Sequence, residues 1–209
     1  MKKNQKVEVQ FEQEVNIQAI DVKSMVIKIE GTTPFISHRF SERQMNQIEN
    51  KQRKKTKELR ERISVEQEVG ECIHRLENGK VGYPSSAFYG GMRECAPYLT
   101  SMDKKLASGA VKMYSVDGNP LVEIKYNKQV TQKDFVKLST GVADIRYRPR
   151  FEGWSCELLV SFNAAQISPQ QIITLINLAG FHRGIGDNRP GSPKKPGSMG
   201  MYKVVENKK

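Results

Sequence analysis

The stretch from Trp154 to Gly180 constrains this chain more than any other. Trp154, Cys156, Leu158, Val160 and Phe162 fall on every second position, the period of a strand with one buried face. Ser168-Pro169-Gln170-Gln171 follows with the spacing of a capping box, proline standing at the first helical position where its missing donor costs nothing. The helix it starts carries Ile172, Ile173, Leu175, Ile176 and Ala179 and stops at Gly180. A long one-faced strand leading directly into an apolar helix requires a sheet with helices packed on it.

The rest of the chain supplies the partners. Met25, Ile27 and Ile29 alternate from Val22 up to the stop Gly31-Thr32-Thr33-Pro34, predicting a first strand. Ser41-Glu42-Arg43-Gln44 is a second capping box and predicts a helix from about 42 to 63. A second helix is expected from Val65, Val69, Cys72, Ile73 and Leu76, ended by Asn78-Gly79, and a third from Ala87, Phe88, Gly91, Met92, Cys95 and Leu99. Val111 to Val116 and Leu121 to Tyr126, joined by Asp117-Gly118-Asn119-Pro120, read as a hairpin. Phe135 to Leu138 and Val142 to Tyr147 are short strand candidates, and Met201 to Val205 supplies a last strand.

Strand, helix, strand pair, long strand, helix, strand is the order of an α+β, ferredoxin-like β-α-β-β-α-β unit with an inserted basic helix and a hairpin. Its antiparallel sheet carries helices on one face; the other is where single-stranded nucleic acid lies in RRM-type domains. The expected organisation is a flexible arm over 1–21, which can pair with something as a strand, a single domain over 22–206 with its helical insertion at about 41–63, and a tail over 207–209.

With 209 residues, 37% of them hydrophobic, the chain is long enough to bury a core without staples. No apolar run reaches the length of a membrane span and the start Met1-Lys2-Lys3 has no signal-peptide stretch, so a cytoplasmic protein with no membrane partner is expected. Cys72, Cys95 and Cys156 lack zinc-site spacing and are expected as reduced core residues. Thirty-four Lys and Arg against 23 Asp and Glu leave a net charge of +11, which favours a polyanionic partner.

That charge is concentrated in three places. Lys51, Arg53, Lys54, Lys55 and Lys57 make the 42–63 helix polar on every side, and from 39 to 62 nine basic residues face four acidic ones. Arg146, Arg148 and Arg150 alternate with Tyr147 and Phe151, so on a strand the guanidiniums share one face. The loop between the last helix and last strand holds Arg183, Arg189, Lys194 and Lys195 among Gly184, Gly186, Gly197 and Gly200. Its glycines permit backbone donors to turn toward phosphate, and the alternative is a flexible basic turn.

Glycine pairs at this junction of a ferredoxin-like domain resemble the glycine-rich loop of the RAMP superfamily, the RNA-binding subunits and guide-RNA-processing endonucleases of CRISPR systems. Gly184 and Gly186 match that family's first Gly-x-Gly; Gly197 and Gly200 stand for the second, as Gly-x-x-Gly after a ten-residue spacer from Asp187 to Pro196. The resemblance implies that the loop contacts RNA backbone. Through Thr33-Pro34-Phe35-Ile36-Ser37-His38 and Ala143-Asp144-Ile145-Arg146-Tyr147-Arg148-Pro149 the chain is also similar to a group of prophage-encoded proteins, which implies a phage setting, in a bacterial host cytoplasm, rather than an activity.

The expected function is therefore binding of single-stranded RNA or DNA by a self-associating protein that uses its sheet face, glycine loop and basic helix and needs no cofactor or metal. His38 and His182, each beside an arginine, supply the alternative of a metal-independent endoribonuclease with histidine as general base and acid, as the RAMP resemblance implies. His74 is expected to be structural. No Walker loop, Gly-x-Ser-x-Gly or metal-spaced histidine cluster is present. A protein-interaction module that is basic only incidentally is the remaining alternative.

Overall fold

The computed structural model describes residues 20–53, 63–100, 102–137, 141, 143–193 and 195–205. In chain order its elements are β1 (Val22–Gly31), β2 (Phe35–Ile36), α1 (Glu42–Gln52), α2 (Val65–Glu71), β3 (His74–Arg75), β4 (Val81–Pro84), α3 (Ser85–Cys95), α4 (Lys104–Ala110), β5 (Val111–Ser115), β6 (Leu121–Glu123), β7 (Lys128–Lys137), β8 (Ala143–Glu152), β9 (Ser155–Asn163), α5 (Pro169–His182) and β10 (Tyr202–Val204). The central antiparallel sheet runs β10-β1-β9-β5. Counting β1, β5, β9 and β10 as first to fourth, this is the 4-1-3-2 arrangement of a ferredoxin-like domain, with α3 and α5 as its two helices.

One face of the sheet is apolar, as the alternation requires. Ile27, Ile29, Val111, Met113, Cys156, Leu158, Val160 and Phe162 are buried there in one core with Phe88, Met92 and Cys95 of α3 and Ile172, Leu175, Ile176 and Ala179 of α5. All three cysteines are buried and free. Trp154 is fully buried and its indole N–H donates to the Thr33 carbonyl at 2.8 Å, fixing the chain as it leaves β1. The capping box of α5 forms as expected, with Ser168 Oγ accepting from the Gln171 amide at 3.2 Å and Gln171 Oε1 from the Ser168 amide at 2.9 Å. Ser41 and Gln44 make the same exchange at the start of α1.

Two small sheets flank the core, β2-β8-β7 and β3-β4-β6. Three expectations change here. The second helix ends at Glu71 rather than near Leu76: Asn78-Gly79 is a hairpin turn that pairs His74 and Arg75 with Gly82 and Val81. The turn at 117–120 closes, with the Ser115 amide donating to the Asn119 carbonyl at 3.1 Å, yet its strands separate, β5 pairing with β9 and β6 with β4. The two short strand candidates around 135 and 145 are ends of a hairpin with ten residue pairs, β7 against β8, from Lys128↔Glu152 to Lys137↔Ala143. Of the helix expected over 42–63, α1 accounts for 42–52, and 54–62 lie outside the described residues, as do 1–19 of the expected arm and the whole 207–209 tail. No helix among the described residues is long and apolar enough to cross a membrane.

Candidate nucleic-acid interface

The glycine-rich loop is stitched to the segment after β1. The Gly200 amide donates to the Pro34 carbonyl (2.7 Å), Asp187 to Ile36 (2.9 Å), and Ile185 to Gly200 (2.9 Å). Gly184 donates to Ala179 at 2.9 Å and Gly186 to the Tyr83 hydroxyl at 3.1 Å, so both glycine donors are occupied inside the protein. Gly186 has φ +76°, and a Cβ there would overlap the Ile36 carbonyl and lie 2.6 Å from the Phe35 ring. These two glycines shape the loop through positive φ and internal hydrogen bonds.

Asp187, in the spacer of that loop, is the junction of the site. Its Oδ2 accepts from His38 Nδ1 at 3.2 Å and is also held by Arg148, whose second terminal nitrogen lies 2.9 Å from Asp134 of β7. Arg148 is 7% exposed; it ties the hairpin to the loop rather than pointing into solvent. Burial, then the positive charges of Arg148 and Arg146, hold the His38 imidazole below its ordinary pKa despite the Asp187 contact, because Arg148 already compensates that carboxylate. Burial likewise pushes the Tyr83 hydroxyl up, which keeps it protonated beside the loop.

The three arginines of β8 share a face but not a role. Arg150 donates to Glu152 at 2.7 Å and is about a third exposed. Arg146, more open, keeps only a loose 3.7 Å approach to Asp144. In the loop, Arg189 donates to the Gly186 carbonyl at 3.0 Å, Arg183 caps α5, and Lys195 is exposed. Arg53 closes α1 with a 2.5 Å pair to Glu49, and Lys51 lies in the same helix. Lys54, Lys55, Lys57 and Lys194 lie outside the described residues. His182 does not share the surroundings of His38: it stacks on Tyr98, with ring centroids 4.9 Å apart.

Two features were missed from the sequence. Asp187 and Asp134 escaped because an acidic residue in a basic segment carries no motif. Phe135 and Ile145, paired across β7 and β8, are 76% and 46% exposed and make an apolar step on the hairpin. The open face of the central sheet, expected to hold a strand, is instead poor in aromatic rings. Val26, Leu159 and Tyr114 lie side by side across β1, β9 and β5, flanked by Ser24–Ser161 at 2.8 Å and Lys28–Glu157 at 3.9 Å. Tyr114, on the edge strand, is its aromatic residue; the two central strands present aliphatic and polar groups outward where a base-stacking sheet would carry rings. No cluster of metal-ligating side chains occurs among the described residues.

Strand order and helix placement define an α+β, ferredoxin-like domain with a glycine-rich loop between the last helix and last strand, the fold class expected from the sequence. A chain of the Type III-B Cmr-beta, solved bound to cognate target RNA, superposes on it with a TM-score of 0.56 at 9% identity, over 89% of this chain and 60% of that one. The present chain thus spans 60% of the length of that neighbour. Cmr6 from Pyrococcus furiosus aligns over 90% of this chain and the whole of its own, with a TM-score of 0.44 at 9% identity. No family model matches the sequence, and no curated protein is significantly similar to it.

Proposed function

We propose that this chain binds single-stranded nucleic acid, RNA in the first instance, along the surface formed by the glycine-rich loop and the β7–β8 hairpin. The observation that carries this reading is the clamp His38–Asp187–Arg148–Asp134, which fixes a basic loop and a projecting hairpin against each other. Arg146 of the hairpin and Arg183, Arg189, Lys194 and Lys195 of the loop then face phosphates. Phe135 and Ile145 pack on bases, a contact every base can accept. Gly184 and Gly186 act by shaping the loop, Arg148 and Arg150 by holding the hairpin, and Lys51, Arg53, Lys54, Lys55 and Lys57 extend the basic track. The RAMP-type fold, shared with a Cmr-beta chain whose structure includes target RNA, favours RNA over DNA. Self-association, a phage origin and a bacterial cytoplasmic setting belong to the same reading.

Gel-shift titrations with single- and double-stranded RNA and DNA test it. Preference for single-stranded RNA is the expected result; equal affinity for duplexes contradicts it, and binding to none of them turns the reading toward a protein-interaction module.

A second reading rests on the His38–Asp187 contact alone. Asp187 accepting from Nδ1 leaves Nε2 unprotonated at neutral pH, the state of a general base. His38 would take the proton of a ribose 2′-hydroxyl as O2′ bonds to phosphorus and the P–O5′ bond breaks, the leaving oxygen gaining its proton from water. Products with cyclic 2′,3′-phosphate ends, formed in EDTA and lost in His38→Ala, would support it.

A further inference from the structure

On the helical side of the domain, away from the sheet, three rings stand together in solvent. Tyr98 is 62% and Phe181 64% exposed, and His182 lies between them, stacked on Tyr98 at 4.9 Å with 18° between planes and edge-on to Phe181 at 5.2 Å. Aromatic side chains that expose well over half their surface are normally scattered singly; three in contact form a patch. They come from two separate elements, the turn Ala96–Tyr98 after α3 and the last turn of α5, and α3 and α5 pack on each other, which fixes the stack. None of the three side chains is needed by the core. The next residue along the chain is Arg183, where α5 passes into the basic loop, so the patch adjoins in sequence the segment proposed to contact phosphates.

We infer that Tyr98, Phe181 and His182 form a stacking platform for one or two unpaired bases of a strand that leaves the glycine-rich loop. The inference rests on the nucleic-acid reading above. Chemistry favours a base over a protein side chain as occupant. Arg183, the residue that follows His182 at the end of α5, is the adjoining cation and Arg189 lies further along the loop, while the acid Glu94 of α3 is already paired with Lys104 at 2.6 Å and Arg93 at 3.1 Å. Stacking on an exposed ring is tolerant of base identity, so the platform would add affinity without sequence preference.

The test compares a short labelled RNA strand with the same strand made abasic, using the full chain and the double variant Y98A/F181A. Both side chains are exposed, so the variant should keep its thermal midpoint. Expected is about a tenfold loss of affinity for the normal strand and a change within about twofold for the abasic one, with the salt slope unaltered. Equal losses on both strands, or none on either, overturn the platform. Unchanged binding with an altered oligomeric state would overturn it too and assign the rings to a protein interface. If the unsubstituted protein binds neither strand, the nucleic-acid reading itself has failed.

Discussion

His38 and Asp187, 149 positions apart, meet at 3.2 Å, and Arg148 closes on the same carboxylate oxygen from the hairpin. The contact joins the segment after β1, the glycine-rich loop and β8 at a single point. A substitution there has different consequences depending on which of the three residues it touches.

Arg148→Ala leaves Asp134 and Asp187 facing one another without their cation. Removing one partner of a buried ion pair costs about 3–5 kcal/mol; both carboxylates here keep some solvent, so roughly 2–4 kcal/mol is expected in a denaturant titration. Arg146→Ala should change stability by less than about 0.5 kcal/mol and instead weaken RNA binding. Similar stability losses for the two variants would contradict the division of roles within the arginine row.

Gly186→Val should destabilise the fold by roughly 3 kcal/mol through positive-φ strain and overlap with β2, with affinity falling only in step with the folded fraction. Arg189→Ala separates the two functions of the loop: the thermal midpoint holds nearly constant while affinity falls. A Gly186→Val protein of normal stability that no longer binds would show that the glycine itself meets the strand.

The pH dependence follows from His38 and His74, both held below their ordinary pKa, first of all by burial. As pH falls below about 6.5 the unfolded chain takes up protons that the folded imidazoles resist, so stability should decline from there through the lower folded values. His38→Gln should flatten part of that decline in denaturant midpoints measured across this range. An unchanged slope would mean that the imidazole titrates freely.

How far the sequence carries can be read from particular elements. Strands β1 and β9 and both capping boxes were legible because period-two alternation and Ser-x-x-Gln spacing are local signals. Asn78-Gly79 misled, since the same dipeptide serves as a helix stop and a hairpin turn, and only the partner strand at Val81 decides between them. Strand β7 was largely invisible because Lys128 to Asp134 lies at a sheet edge with little apolar surface to bury. The loop was found by composition, but that its glycine donors are spent on Ala179 and Tyr83 is a tertiary fact without local trace.

Removing the exposed apolar step on the hairpin with the double substitution F135A/I145A should leave the thermal midpoint within about 2 °C, since neither side chain is buried. Affinity for single-stranded RNA should fall several-fold, and duplex binding should not change. A lower midpoint together with unchanged affinity would make the step part of the fold and not of the interface.

The most direct test of the whole account is the salt dependence of binding to an unstructured single-stranded RNA, followed by fluorescence anisotropy. Phosphate contacts from Arg146, Arg183, Arg189, Lys194 and Lys195, at about 0.7 counterion each, predict a log-log slope of about −3.5, falling to about −2.8 in Arg189→Ala. A slope between about zero and −1, unchanged by Arg189→Ala, would contradict an electrostatic interface at the loop and hairpin.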